Sequence, residues 1–157
     1  MRSIRRKEKE IDVNECKKII KKSKFITLAM CRNNMPYLVT LSHGYDSDKN
    51  FIYFHCANDG KKLEYFKANK NVWGQALIDQ GYQQGKCNHY YESVHFKGEV
   101  EILTNFQEKK IALETMIDSL EEDPTIVKTQ QLTQKAIENV TIGKIRITGL
   151  SGKRSVE

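Results

Sequence analysis

Residues 51–73, FIYFHCANDGKKLEYFKANKNVW, constrain the fold more than any other part of the sequence. Phe51, Tyr53 and His55 alternate with Ile52, Phe54 and Cys56, the period of a strand covered on both faces. Asn58-Asp59-Gly60 breaks that strand, since glycine tolerates backbone angles that other residues resist. Residues 61–69 then have helical spacing, with Leu63 and Phe66 on one face. The stretch therefore predicts strand, tight loop, short helix and strand, with Lys61 and Lys62 opening the helix. Backbone N–H groups in a first helical turn lack intrahelical partners, and the helix dipole is positive there. Such a place holds an anion, most often a phosphate. The same residues equally fit a solvated turn with two exposed lysines, which is common in α/β and α+β domains.

The flanking chain supplies strands and helices in a simple order. Asp12 followed by Glu15 is a capping-box start, and Val13, Cys16, Ile19 and Ile20 form the apolar stripe of that helix. Residues 25–31 read as a strand, Arg32-Asn33-Asn34 as a turn, and residues 37–45, introduced by Pro36, as its hairpin partner. Residues 72–78 read as a strand, and the polar run 79–89 with Gly81 and Gly85 as a long exposed loop. Val94, Phe96, Gly98, Val100 and Ile102 alternate with polar neighbours, giving the cleanest strand of the chain. Asn105 with Glu108 starts a helix lined by Leu113, Met116, Ile117 and Leu120, and Asp123-Pro124 ends it. Residues 129–139 suggest a weaker helix. Val140 and Ile142 fit one strand face while Ile145 and Ile147 fit the other, a parity change at Gly143 that suggests a bulge. Residues 1–11 read as a basic arm and 151–157 as a polar tail. Antiparallel strands with segregated helices predict an α+β fold, most simply a closed or nearly closed barrel, and 157 residues without repeat or linker suit one domain.

Charge and cysteine usage narrow the function classes. The formal net charge of +6 favours anionic partners without choosing among nucleotides, nucleic acid and acidic surfaces. Nucleic-acid binding would rest only on that charge and on Lys17, Lys18, Lys21, Lys22 and Lys24, which equally form a solvated helix face. Cys16, Cys31, Cys56 and Cys87 are widely spaced, so neither a structural zinc site nor a thioredoxin-like pair is expected. The basic start has no apolar stretch behind it, and residues 25–31 are too short for a membrane span. A cytoplasmic protein with free thiols is the expectation.

On these residues the sequence resembles the pyridoxamine-phosphate-oxidase-like FMN-binding split barrels, and within them the nitroimidazole-resistance branch. Pro36-Tyr37-Leu38-Val39-Thr40-Leu41-Ser42-His43-Gly44-Tyr45-Asp46 and Ile52-Tyr53-Phe54-His55 with Ala57, Gly60, Lys62 and Leu63 carry the resemblance. Asn69, Val72, Ser93-Val94 and Gly98-Glu99 continue it in register, and Arg5-Arg6-Lys7-Glu8, Thr148-Gly149 and Gly152-Lys153 resemble the family's ends. The resemblance implies a six-stranded antiparallel split β-barrel of Greek-key type, forming a homodimer with two FMN sites at the subunit interface. By position, Lys62 matches the lysine that meets the FMN phosphate, with Lys61 beside it. Val39, Thr40 and Leu41 match the strand whose backbone lies along the flavin. Tyr53 and His55 fall on the strand that faces the cofactor, and Ser93 matches a polar position that reaches the phosphate. Pyridoxamine-phosphate oxidases carry an arginine and a lysine in the strand that here runs from Leu38 to His43, where only His43 is even potentially basic. Their C-terminal substrate-binding arginine and histidine are not visible either. Both departures argue against pyridoxamine phosphate as substrate.

His43, His55, His89 and His95 lie on different segments with no metal-ligand spacing. Of these, His55 is the candidate catalyst, since it lies between two implied flavin contacts and imidazole transfers protons near neutrality. Trp73, Tyr82, Tyr90 and Tyr91 suit either an aromatic substrate pocket or subunit packing. Tyr37, Phe51 and Tyr53 are large groups on the outer faces of strands, which points to a covered interface and a homodimer. Two function classes follow: an FMN-dependent oxidoreductase acting on a small electrophile such as a nitroaromatic or quinone, and a flavin- or haem-binding module without turnover. No nicotinamide-binding motif is visible to decide between them.

Overall fold

The structure, a computed structural model, describes residues 4–156. Eight antiparallel strands form one sheet in the order β3-β2-β6-β7-β8-β5-β4, with the short β1 pairing β8. These are β1 (Glu10–Ile11), β2 (Phe25–Arg32), β3 (Met35–Ser42), β4 (Gly44–Asp46), β5 (Phe51–Cys56), β6 (Asn71–Gln83), β7 (Asn88–Ile102) and β8 (Thr141–Ser155). The helices are α1 (Val13–Lys22), α2 (Lys61–Ala68), α3 (Phe106–Leu120), α4 (Thr125–Gln131) and α5 (Gln134–Asn139). Six long strands and two short ones make the α+β split barrel expected from the sequence. No helix among the described residues is long and apolar enough to cross a membrane.

The roll of the sheet comes from one residue. Only His43 separates β3 from β4, yet these two strands lie at opposite ends of the sheet. The chain must therefore fold the sheet back until β3 comes against β5. Helix α2 fills the remaining split. Its Tyr65 meets Tyr37 of β3 at 5.2 Å and its Phe66 meets Phe54 of β5 at 5.8 Å between ring centroids. Ile26, Leu28, Ile52, Phe54, Val94, Phe96, Ile145 and Ile147 pack inside the barrel. A second apolar layer lies outside it, where Tyr53, Leu103 and Ile142 pack under Ala112, Leu113 and Met116 of α3 and Ile137 of α5.

The helix starts follow the sequence signals. Asp12 accepts from the Glu15 N–H at 2.8 Å and Asn105 from the Glu108 N–H at 3.1 Å, each satisfying an orphan donor. Asn33 and Asn34 both adopt positive φ in the two-residue β2–β3 turn, a geometry matched to the twist of the strands.

Five expectations are corrected. Residues 79–89 are not a long loop: β6 runs to Gln83 and β7 starts at Asn88, with a register shift between Asp79 and Tyr82. Polar sequence misled because both faces of this projecting hairpin are wet. The parity change at Gly143 is no bulge. Gly143 pairs regularly with Phe54; Ile142 faces the α3–α5 layer while Ile145 and Ile147 face the barrel. The register shift on β8 instead falls opposite Lys97 and Gly98. The polar tail is largely strand, since β8 continues to Ser155 and Glu10–Ile11 pairs with it. The basic arm is likewise ordered from Lys7 onward as a 3₁₀ turn and β1; residues 1–3 and 157 of the arm and tail lie outside the described residues. The single weak helix at 129–139 is two helices, α4 and α5, separated at Leu132 and Thr133.

Candidate functional site at the C-terminal end of β5

The end of β5 divides the candidate residues between two faces. Cys56 turns toward the barrel and α2, and His55 turns outward beneath the α3–α5 layer. The loop that follows is tied down on the outer side. Asn58 donates to the Asn139 carbonyl at 2.9 Å and accepts from the Thr141 hydroxyl at 2.6 Å. The loop then delivers Gly60, at φ 141°, as the residue preceding α2, a backbone angle that an L side chain resists. Glycine has no side chain with which to cap the helix. The Gly60 N–H is taken by Asp59 at 2.8 Å and the Leu63 N–H by the Gly60 carbonyl at 3.0 Å. The first-turn N–H groups of Lys61 and Lys62 have no place in the intrahelical ladder, so they point outward from the positive end of the dipole.

The two lysines have different settings. Lys61 Nζ lies 4.6 Å from the Tyr37 ring centroid and 5.9 Å from that of Tyr65, held over both aromatic faces. Lys62 is half-buried, and its charge acts on the Cys56 thiol. Burial pushes that thiol above its ordinary range, with Lys62 opposing. On the neighbouring edge strand, Val39 and Leu41 point inward against the barrel core while Thr40 points out, its hydroxyl 3.0 Å from that of Thr27. Of the two lysines, Lys61 thus reaches β3, at Tyr37, and Lys62 acts on Cys56 of β5, while Thr40 belongs to the outer face of the sheet.

On the other face of β5, His55 opens onto a cavity of about 370 Å³, inside the ~300–1,000 Å³ range of small-molecule sites. Leu113, Met116, Ile117 and Leu120 of α3 form its apolar floor, with Val127, Ala136 and Val140 closing around it and Glu121 and Gln131 adding polar groups. Tyr53 shares the outward face of β5 but is only 4% exposed, packed beneath α3. Burial holds its hydroxyl above the ordinary range. In this chain it supports the cavity layer and has no open surface to offer a ligand.

His43 and Ser93 lie elsewhere. His43 is 2% exposed and its Nε2–H donates to the Ile20 carbonyl of α1 at 3.0 Å, while Nδ1 has no partner. Its place on the strand along the flavin makes His43 a cofactor-binding candidate, but a ligand contact through its ring would require unpacking that joint. Ser93 sits on β7, where its hydroxyl accepts from Gln75 Nε2 at 3.3 Å; the same amide donates to His95 Nε2 at 3.2 Å. Burial and the Lys153 charge hold His95 below its usual range. Ile4, Ser151 and Lys153 border this second polar pocket, and no residue of α2 lines it. Sequence reasoning missed Cys56, Glu121 and Gln131, because a lone cysteine carries no motif and residues 121–131 carry no catalytic spacing.

The outer face of β3-β2-β6-β7 is left open. Leu38 is 64%, Phe25 59%, Leu77 50% and Trp73 49% exposed. They flank the cross-strand row Thr40, Thr27, Gln75 and His95. Tyr37 and Phe51 are half-buried within the chain. Of the basic helix-α1 face, Lys17 donates to the Ser47 carbonyl, Lys18 pairs with Glu15 and Lys22 with Glu92.

Solved structures share this architecture. A protein from Bacteroides thetaiotaomicron VPI-5482 described as a 5-nitroimidazole antibiotic resistance protein is 25% identical, with a TM-score of 0.77 over 92% of this chain and 85% of that one. The flavocytochrome Anf3 of Azotobacter vinelandii is 17% identical, with a TM-score of 0.82 over 99% and 73% of the two chains. An FAD-binding protein of Mesorhizobium loti is 22% identical, with a TM-score of 0.68 over 94% and 97%. No curated protein sequence matches the chain. The family model of pyridoxamine 5'-phosphate oxidase matches residues 12–154, nearly the whole of the barrel and all five helices, and the chain belongs to that family.

Proposed function

We propose that the chain is an FMN-binding flavoprotein acting as a homodimer, an oxidoreductase that reduces a small electrophile of the nitroaromatic or quinone type. One observation carries the reading: the same end of β5 carries an open helix N-terminus with two lysines on its barrel side and an apolar cavity with one imidazole on its outer side. The first suits a phosphate and the second a planar ring, the two parts of FMN and its substrate taken together. The FAD-binding protein and the flavocytochrome among its structural relatives support a flavin, and the Bacteroides protein supports a nitro compound.

The residues present fit the group. Lys62 and the N–H groups of Lys61 and Lys62 would hold the phosphate, while Asp59 keeps its carboxylate engaged by Gly60. Val39 to Leu41 would border the ring system from the edge strand. Bound flavin would supply the electron transfer; the protein binds it, excludes water and orients the substrate. His55 would deliver a proton from its imidazole to the substrate atom being reduced. The exposed face around Leu38, Phe25, Trp73 and Leu77 supports pairing with a second copy. Four free thiols suit a reducing, cytoplasmic setting.

The test is reconstitution with FMN, riboflavin and haem, followed by anaerobic addition of NADH or NADPH. Flavin absorption that bleaches with a nicotinamide and recovers with a nitroaromatic or quinone supports the proposal. Bound flavin that neither nicotinamide reduces supports a binding module instead, and a Soret band supports haem.

A further inference from the structure

We infer that helix α4 is a movable wall of the cavity beneath α3, α4 and α5, opening to admit a small apolar molecule and re-forming over it. The inference goes beyond the oxidoreductase reading and concerns access to the cavity whether or not flavin is bound. The other walls are fixed. β5, which carries His55, is paired into the sheet. α3 is anchored by the buried Ala112, Leu113, Met116 and Ile117. α5 buries Ile137, and its start is capped by the Thr133 hydroxyl. Its last turn is tied at two points: Lys109 Nζ donates to the Glu138 carbonyl at 3.0 Å, and the Asn58 amide to the Asn139 carbonyl at 2.9 Å.

α4 is held by much less. It is seven residues long and buries no side chain, and its Ile126 is 66% exposed. A helix shorter than ~12–15 residues is not stable by propensity alone, so α4 depends on what it packs against. Val127 faces the cavity half-buried, and Lys128 meets Asp118 of α3 at 2.6 Å between side chains that solvent reaches, a kind of pair that holds weakly. Its start has one local brace, Asp123 accepting from the Thr125 N–H at 3.1 Å. The flanking residues suit a swing: Glu121, Glu122 and Asp123 are exposed, while Leu132 packs on the outer apolar layer and fixes the far end. Opening so lightly held a segment costs far less than unfolding the domain. A molecule seated against Leu113 and Met116 would give Val127 an apolar partner, so occupancy favours the closed wall.

The experiment is amide hydrogen exchange read by NMR on the full chain, free of flavin and loaded with FMN, with p-fluoronitrobenzene as the probe. Fluorine NMR of the probe gives its entry and exit rates. Amides of residues 128–131 in α4 should exchange roughly 10²-fold or more faster than those of Met116 and Ile117 in α3, and saturating probe should slow them. Thr129 is exposed and does not line the cavity, so changing it alters the helix and not the wall. Thr129→Gly and Thr129→Ala differ about fivefold in helix propensity. Entry and exit should both be about fivefold faster in the glycine variant with affinity nearly kept, because the wall is closed before and after. The inference is overturned by α4 amides as protected as those of α3, by a probe that fails to slow their exchange, or by equal entry rates in the two variants. Flavin content is measured separately by absorbance. Failure to load FMN with the α4 response intact refutes the flavoprotein reading alone, and a rigid α4 in flavin-loaded protein refutes only the movable wall.

Discussion

His43 gives the sharpest physical test of the fold. Its neutral ring donates through Nε2 to Ile20, and Nδ1 faces no acceptor in a joint that is 2% exposed. Adding a proton would place a charge out of water and create an N–H without a partner. Burial accordingly holds its pKa below the ordinary 6.5, with the Ile20 bond only partly opposing. The unfolded chain then binds more protons than the folded one as pH falls through 6.5, so stability is present above that pH and lost below it. The limiting loss is RT ln(1 + 10^(pKa − pH)), or about 1.2 kcal/mol between pH 7 and 5.5 if His43 stays neutral throughout. For a chain of this length that lowers the melting temperature by ~2–5 °C. His95 is also depressed but exposed, so solvent screens its share. Asp79 and Asp123, lowered from 3.8, act only in more acid solution. The assay is calorimetry at pH 7, 6.5, 6 and 5.5 on the protein and on His43→Gln, whose amide can still donate to Ile20. The variant's melting temperature should change with pH markedly less, whatever its absolute value. A flat profile in the unmodified protein, or an undiminished acid slope in His43→Gln, refutes the argument.

Three further outcomes are expected. Lys62→Ala should weaken FMN by about 10–150-fold, the worth of a lost charge-assisted hydrogen bond of ~1.5–3 kcal/mol, and riboflavin by less; equal losses, or an equal loss in Lys67→Ala in the last turn of α2, would remove α2 as the phosphate site. His55→Phe should keep FMN but lower turnover at neutral pH by ~10²–10⁴-fold, and an unchanged rate and pH profile would leave His55 a wall residue. Leu38→Glu on the open sheet face should shift a sedimentation mass of two chains toward the 18.2 kDa of one, while a single-chain mass before substitution would refute the dimer.

The elements were legible where period and caps agreed. Phe51–Cys56, Val13–Lys22 and the start of Phe106–Leu120 fall where alternation, Asp12 and Asn105 place them. Legibility failed where one pattern has two physical causes. Alternation reports which faces are covered but not by what, so Tyr53 looked like an interface residue although α3 covers it. Polarity reports exposure but not pairing, so the Asp79 hairpin looked like a loop. Position in a motif fixes the backbone, and it put Lys61 and Lys62 on one helix start. It is silent on the side chain's surroundings, which differ for His43, sealed under α1, and Ser93, held by Gln75.

The two halves of the candidate site depend on a single register. Along β5, Ile52 and Phe54 enter the barrel while Tyr53 and His55 face the helical layer. A slip of one residue against β8 would exchange every side chain between those faces. It would bury His55 in the barrel and put Phe54 into the cavity. The pairing of Phe54 with Gly143 resists that slip. A Cβ on Gly143 would lie 2.1 Å from Phe54 Cζ, so the aromatic ring occupies the space over the one β8 residue that leaves it free. Hydrophobicity alone opposes the slip only through His55, because residues 51–54 are aromatic or aliphatic on both faces. The glycine opposite Phe54 therefore specifies which face meets the cavity, and with it where an imidazole can act.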